Sequence, residues 1–475
     1  MATELEMIAA GLAGLATDQP RMDRVDNYIR GVHDDPYMPK SATDEYKLLA
    51  KRAIANWMPL LVKTPAQVLS VTGYRRDGGA DTTPEWDVWQ QNRMDSRQTA
   101  IHRAALTYGV AYVAVTTDAF GTHMKGLSPR RVYASYADPA SDALPLWVLM
   151  MDHLPSADDV KDVASGTLYT QTNVYQVTVT GGGKKSVTTL VSSVPHNMKL
   201  LGQPVCPVVR FAPDIDLEGR VTGVIEPMIP IQDRINQTTF DRLIVQTFGS
   251  FKVRTVTGMA PDLQRDPETG DVILDANGRP TPIPVRADAS RFMMTPNEDA
   301  KFGTLDETPL DGFLEAAKAD VKQLAAVSQT PPHYLLGDMV NLSAEALAAA
   351  ESALMRAVKE FQRPLGEAWE LVLALVSESE GSVVDAGAQV LWDDFESRSF
   401  AQVVDALGKA AQMLSVPPRA LWSRIPGVTD GDVADWADMA ETDSSENRLA
   451  TAMDKALSAP QTSEAGNSVP GVASA

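Results

Sequence analysis

The acidic side chains near residue 395 are the best candidates in this sequence for metal chemistry. Asp393, Asp394 and Glu396 stand close together. Clustered carboxylates can hold the paired metal ions with which nucleases stabilise the attacking and leaving oxygens of a phosphodiester. Adjacent acids, however, point to different sides of the backbone, so a solvated segment is the favoured interpretation. A metal-dependent nuclease stays open as an alternative function.

A glycine-rich stretch resembles a nucleotide-binding loop only in part. The letters GGGKKS occupy 181–186, but a P-loop needs glycine at position 178, where Thr178 stands. Lys185 also replaces the Ser or Thr that would bind Mg²⁺. The sequence has no Gly-x-Ser-x-Gly motif that would place a nucleophilic serine. We therefore expect no nucleotide cofactor and no enzymatic activity.

Metal-binding patterns are equally incomplete. Asp271, Asp275 and Asn277 are spaced like calcium ligands, but Ile273 occupies a ligand position and no acid closes the loop. A hairpin turn is the favoured interpretation. The histidines lack the close pairing of a helical zinc site, and we expect each to be structural. They are His33, His102, His123, His153, His196 and His333.

The charge balance separates this chain from proteins that grip nucleic acid. It has 42 Lys and Arg against 62 Asp and Glu, a net charge of −20, whereas tight DNA binding needs a basic surface. Residues 301–475 hold 27 acidic and 12 basic residues, which is −15 of that total. The basic doublets at 75–76, 130–131 and 184–185 are short and far apart. Tight capture of DNA is not expected.

The cysteine count and the hydropathy pattern indicate the compartment. Cys206 has no cysteine partner in the chain, so it cannot close an internal disulfide, and a reducing compartment is expected. Near the start, Glu4 and Glu6 stand where a secretory signal would carry lysines. No run approaches the roughly 20 apolar residues of a membrane span. We therefore expect no membrane partner.

The first half of the sequence predicts an α+β fold. Thr64-Pro65 is expected to end one helix, and Gly109 to end another. Apolar residues at helical spacing predict helices over 5–15, 20–30, 43–62 and 84–108. Runs rich in β-branched residues predict strands that lead to 73–75 and cover 110–115, 131–137, 144–151, 172–180 and 186–193.

The second half predicts long helices separated by a turn-rich insertion at 253–308. Ser343 is a suitable N-cap for the longest helix, and Pro364 inside it must remove a backbone hydrogen bond, which predicts a kink near 360–364. The tail from Thr442 has a disordered composition. Helices are predicted over 229–248, 310–328, 343–379, 399–414, 418–424 and 430–441, with a strand at 388–392.

Several segments, read in order, resemble the portal proteins of long-tailed double-stranded DNA phages. The most specific is TPPHYLLG at 330–337, followed by LSAEAL at 342–347. The others are YIRGVH at 28–33, PY at 36–37, Asn56, TGYR at 72–75, YGVAYV at 108–113, PVVRF at 207–211 and IPIQDRIN at 229–236. Their shared order carries the resemblance, because each motif alone is common.

The resemblance implies an α+β portal architecture with an α/β wing, a helical stem, a β-containing clip, a long kinked helix and a helical crown. The implied parts are the wing at 1–228, first stem helix at 229–252, clip at 253–308, second stem helix at 309–328, tunnel loop at 329–342, long helix and return to the wing at 343–395, crown at 396–441 and disordered tail at 442–475.

The resemblance also implies a function and partners. A ring of about twelve copies would surround DNA at one capsid vertex of the virion, after assembly in the host cytoplasm. Expected partners are the terminase large subunit, a head-completion connector, and the major capsid and scaffold proteins. The expected channel-facing residues are Gln329, Thr330, His333, Asp338, Met339 and Asn341. The expected motor and connector contacts are Asp266, Glu268, Asp271, Asn277 and Arg279. A packaging nuclease and a non-channel head adaptor are the alternatives.

Overall fold

The computed structural model describes most of the chain and divides it into two compact units, Met1–Asp394 and Phe395–Ala475. The described residues are 3–40, 43–76, 83–156, 158–181, 187–249, 254–257, 263–276, 278–281, 301–304, 309–337, 344–393, 400–425, 428, 430–442 and 453. Helices and strands alternate through the first unit, so the predicted α+β class is confirmed. No helix within these residues is long and apolar enough to cross a bilayer.

The first helix, α1 (Glu4–Arg30), is continuous where the sequence predicted two helices. Thr3 and Glu6 form a capping box at its start, and Gly31 ends it at φ 81°. Pro20 lies inside the helix. The predicted break is wrong because Ile8, Leu15, Met22 and Val25 form one buried stripe on both sides of the proline, and their packing outweighs its local cost.

The helix predicted over 43–62 is two helices, α2 (Asp44–Ala53) and α3 (Met58–Val68). The chain leaves helical geometry between them because side chains of a later helix bond its backbone. Gln232 accepts from the amide of Trp57 and donates to the carbonyl of Ala55. Pro65 does not end α3 as predicted but lies inside it, and the helix continues to Val68.

The long helix predicted over 84–108 also breaks. After β1 (Val71–Arg75), the chain forms α4 (Pro84–Gln91) and α5 (Met94–Tyr108), separated by Arg93 at φ 54°. Asn92 explains the break: its buried amide donates to the carbonyls of Val88 and Thr122 and accepts from the amide of Met124. Gly109, at φ 84°, ends α5 as predicted.

Two antiparallel sheets follow α5. A three-stranded sheet has the order β11-β2-β3, and a five-stranded sheet has the order β4-β5-β6-β7-β8. The strands β3 and β6 had not been predicted, since neither is rich in β-branched residues. The ranges are β2 (Ala111–Asp118), β3 (Gly121–Leu127), β4 (Val132–Ser135), β5 (Trp147–Met151), β6 (Val163–Tyr169), β7 (Asn173–Thr180), β8 (Thr188–Pro195), β9 (Lys199–Leu200), β10 (Gln203–Pro204) and β11 (Val208–Phe211).

The rest of the first unit returns to helices. The strands β12 and β13 pair antiparallel at the base of the insertion, and β14 pairs antiparallel with β1. The helix α9 begins and ends as predicted and continues through Pro364, while the kink stays a prediction. The ranges are α6 (Ile229–Gly249), β12 (Arg254–Thr257), β13 (Lys301–Thr304), α7 (Asp311–Val327), α8 (Pro332–Leu336), α9 (Ala344–Ser379) and β14 (Gln389–Trp392).

Trp369 of α9 lies at the centre of the main core. It is 0% exposed, and its ring contacts Trp89 of α4 and Phe211 of β11, at centroid distances of 4.8 and 4.6 Å. A second core lies between α1 and the five-stranded sheet, where Ile8 and Leu15 pack with Leu149. The cores of the first unit are therefore formed by residues that are far apart in the sequence.

The second unit contains the predicted terminal helices. They are α10 (Phe400–Met413), a 3-10 helix (Pro418–Arg424) and α11 (Asp430–Thr442). The rings of Trp422 and Trp436 meet edge to face at 6.0 Å, which joins the last two. Of the predicted disordered tail, the structure describes only Thr442, which is the last residue of α11, and residue 453.

Candidate functional site

The two helices that flank the insertion pack against each other. Arg234 of α6 places its Nε 2.8 Å from a carboxylate oxygen of Asp320 on α7, and the hydroxyl of Thr238 lies 3.4 Å from the other oxygen of that carboxylate. Ile235 and Leu324 are buried on the same helices. Because β12 and β13 pair, the chain leaves α6 and returns to α7 at neighbouring points. The insertion is therefore held at both ends.

The segment after α7 turns sharply before a short helix. Gln329 has φ 54°, in the left-handed region, and the amide of Thr330 donates to the carbonyl of Ala325 at 3.0 Å. The helix α8 follows, although the sequence had predicted only a loop. Leu335 is 4% exposed and anchors α8 to the core. The first part of the predicted tunnel loop is thus an ordered element.

The predicted channel-facing residues differ in how accessible their side chains are. Gln329 is exposed and His333 is half-buried, with its ring 4.4 Å from that of Tyr334. Thr330 is 3% exposed, so its side chain offers almost no surface for contact with DNA. Asp338, Met339 and Asn341 lie outside the described residues.

The described part of the insertion consists of two consecutive tight turns. The amide of Asp266 donates to the carbonyl of Asp271, and the amide of Asp275 donates to the carbonyl of Arg279. The glycines of these turns, Gly270 and Gly278, have φ values of 77° and 73°. The prediction of hairpin turns in this segment is confirmed.

These turns place three of the predicted docking residues at the surface. Glu268, Asp271 and Arg279 are exposed, and Asp266 is half-buried because its carboxylate caps the amide of Glu268 at 2.8 Å. Asn277 lies outside the described residues. The exposed side chains therefore present both negative and positive charge on two tight turns.

The acidic segment near residue 395 is described only at its start. The amide of Asp393 donates to the carbonyl of Ser70, which continues the β1–β14 pairing, whereas Asp394 and Glu396 lie outside the described residues. Within the described ranges, no group of three His, Cys, Asp or Glu is arranged to hold a metal ion.

A buried polar network, which no sequence pattern predicted, connects α1 and the loop before α3 to α6. Asn236 donates to Nδ1 of His33 at 2.8 Å and accepts from Gln232 at 2.9 Å. Nε2 of His33 then donates to the carbonyl of Tyr28. Burial lowers the pKa of His33, which favours this neutral form. The sequence feature that could have indicated this network is the pair of amide side chains four residues apart, Gln232 and Asn236, on an otherwise apolar helix face.

Comparisons with known proteins agree on one family. The family described as "Phage portal protein, SPP1 Gp6-like" matches residues 12–446. The chain is 25% identical over 374 residues to the portal protein of Mycobacterium phage D29, covering 74% of this chain and 71% of that protein. It is 24% identical over 372 residues to the portal protein of Mycobacterium phage L5, with the same coverage.

Solved structures of phage-related particles resemble the fold more distantly. One similar chain belongs to the neck of an empty GTA particle computed with C6 symmetry, at 12% identity and a TM-score of 0.41. Another belongs to the virion of a native gene transfer agent particle, at 12% identity and a TM-score of 0.43. Each match covers 83% of this chain and 99% of the other.

Proposed function

The chain belongs to the SPP1 Gp6-like family of phage portal proteins, and from this premise we propose that about twelve copies form a ring whose central hole conducts double-stranded DNA. Portal proteins are structural subunits of the virion, placed at one vertex of the capsid. The observation that carries the proposal is the family match across residues 12–446, which includes the stem helices α6 and α7 and the long helix α9.

The charge of the chain supports passage of DNA instead of capture. A wall with a net charge of −20 per copy repels phosphates, whereas about 6–10 Lys or Arg contacts would bind DNA strongly and in a salt-dependent way. The acidic excess is concentrated in residues 301–475, which contain the second stem helix and the tunnel loop. DNA is therefore expected to slide through the channel without being bound tightly.

The tunnel loop supplies the proposed contacts with DNA. Gln329 and His333 are the predicted residues with described, accessible side chains, and they flank the turn that leads into α8. Asp338, Met339 and Asn341 follow in the same loop and are proposed by resemblance. The buried side chain of Thr330 holds the turn instead, because its hydroxyl lies 3.1 Å from that of Ser328.

The clip would dock the terminase large subunit during packaging and the head-completion connector afterwards. Exposed Glu268, Asp271 and Arg279 on tight turns support this role. Deleting residues 260–300 leaves β12 and β13 to close the insertion, so we expect rings to form without motor binding in a pull-down. Retained motor binding would contradict the docking role.

The remaining parts of the chain would serve assembly. We propose that the wing and crown contact the major capsid and scaffold proteins, and that rings assemble in the host cytoplasm before they enter the virion. No catalytic activity is part of this function, and no cofactor is required.

Electron microscopy of the purified chain tests the proposal directly. Rings with a central hole, whose copy number can be counted in averaged end views, are expected. A particle without a hole would favour a head adaptor instead. Magnesium-dependent nuclease or ATPase activity of the pure rings would favour the packaging enzyme, and neither activity is expected.

A further inference from the structure

The strand β8 forms one edge of the five-stranded sheet. It pairs with β7 on one side, and no described strand pairs with its other side. Residues 189–195 are all exposed. An edge strand presents unpaired backbone N–H and C=O groups, which can pair with an extended segment of another chain.

The composition of β8 is unusual for an exposed edge. Proteins commonly protect such edges with charged side chains, above all lysine, but residues 186–198 contain no Asp, Glu, Lys or Arg. Leu190, Val191 and Val194 are 38%, 64% and 59% exposed. The strand does carry a bulge beside Val191, where the register with β7 shifts, and a proline at its end, Pro195.

The apolar surface extends from β8 across the end of the sheet. Val163 of β6 lies opposite Thr180 of β7, and the amide of Thr180 donates to the carbonyl of Val187 just before β8. Residues opposite each other in a sheet share a face. Val163 and Val187 are 49% and 58% exposed, so they add apolar surface beside the strand.

The hydrogen bonds at both ends of β8 fix the direction of its free backbone groups. Val187 accepts from Thr180, and the amide of His196 donates to the carbonyl of Thr172 at 2.9 Å. Since antiparallel bonding alternates along a strand, Thr188, Leu190 and Ser193 direct their N–H and C=O groups away from β7. These three residues form the free half of the edge.

We propose that β8 pairs through this edge with an extended segment of the neighbouring copy in the ring, an inference that rests on the ring proposed above. The charges favour a second copy over DNA, because a polyanion gains nothing from an uncharged apolar strand. Copies that each carry −20 repel one another. A contact surface without acids adds nothing to this repulsion, and β8 provides one.

Paired charge substitutions test the surface. In the variant Val191→Glu/Val194→Glu, the concentration needed for half-assembly into rings should rise at least about tenfold, measured by native mass spectrometry. The control variant Leu217→Glu/Val383→Glu adds the same charge at side chains that are 98% and 81% exposed elsewhere. It should assemble like the wild-type chain. Equal assembly of the two variants would overturn the inference.

Hydrogen exchange of the wild-type rings provides a second test that needs no variant. The amides of Thr189 and Val194 face β7 and are protected by the sheet itself. If a neighbour pairs with β8, the amides of Thr188, Leu190 and Ser193 should exchange as slowly as these, within about tenfold. Fast exchange at all three of these amides in intact rings would overturn this inference but not the proposed function. A wild-type chain that forms no rings would overturn the proposed function as well.

Discussion

The indole N–H of Trp369 donates to Nε2 of His102 over 2.8 Å, and both side chains are 0% exposed. Nδ1 of the same imidazole lies 3.0 Å from the carbonyl of Leu69. Because Nε2 accepts, the ring proton must lie on Nδ1, and the imidazole is neutral. One side chain thereby connects α5, α9 and the segment before β1 without an exposed polar atom.

The stability of the fold should therefore depend on pH through His102. Burial lowers its pKa from 6.5 to about 4. Above pH 6.5, His102 is neutral in both the folded and the unfolded state. Between pH 6.5 and about 4, only the unfolded state binds a proton on His102, so the free energy of unfolding falls as the pH falls. The full loss is about 3 kcal/mol. Chemical denaturation at several pH values measures it, and His102→Gln should flatten the slope. An unchanged slope in that variant would contradict the assignment.

Removal of Asn236 should destabilise the connection of α6 to α1 and to the loop before α3. Asn236→Ala leaves Nδ1 of His33 and an amide proton of Gln232 without their partner inside the core. We expect a loss of about 2–3 kcal/mol in the free energy of unfolding. Gln237→Ala on the same helix removes a more exposed amide and should cost less than about 1 kcal/mol. Equal losses would mean that burial of the network is not the cause.

The ion pair between α6 and α7 should contribute modestly to the free energy of unfolding. Arg234 is 47% and Asp320 16% exposed at the side chain, so solvent screens the attraction in part. A double-mutant cycle with Arg234→Ala and Asp320→Ala should give a coupling of about 0.5–1 kcal/mol that decreases with added salt. A coupling near zero at low salt would show that apolar packing alone joins α6 and α7.

Glycine replacements should separate close packing from helix propensity. A Cβ at Gly14 of α1 would lie 2.1 Å from the ring of Tyr133 on β4, whereas a Cβ at Gly312 of α7 would meet no atom within 4 Å. Gly14→Ala should therefore lower the free energy of unfolding by about 1–3 kcal/mol. Gly312→Ala should raise it or leave it unchanged, by up to about 1 kcal/mol. Thermal melting of both variants compares them, and a stabilised Gly14→Ala chain would contradict the packing.

Sequence periodicity predicted most elements but not the interruptions that depend on distant residues. The end of α5 at Gly109 is local, since a glycine there adopts positive φ without strain. The break at Asn92 and Arg93 is not local, because the amide of Asn92 is held by Thr122 and Met124. Pro20 failed to end α1 for the same reason, as packing across the helix outweighed the local cost.

In the candidate site, too, the features that depend on distant residues could not be predicted from the sequence. Exposed turns around Glu268 and Asp271 followed from glycine positions. The burial of Thr330 could not be predicted, since it depends on how the end of α7 packs against the core. The network around Asn236 depends on three segments meeting, which a single periodic pattern does not show.

The pairing of β1 with β14 has a consequence for biosynthesis. Arg75 lies opposite Gln389, and Val71 lies opposite Trp392. The first strand thus has no partner until a segment more than three hundred residues later leaves the ribosome. Contacts so distant in sequence form slowly. A nascent chain must therefore keep β1 unpaired while the residues between β1 and β14 are translated, and premature termination anywhere between them leaves that edge open to aggregation.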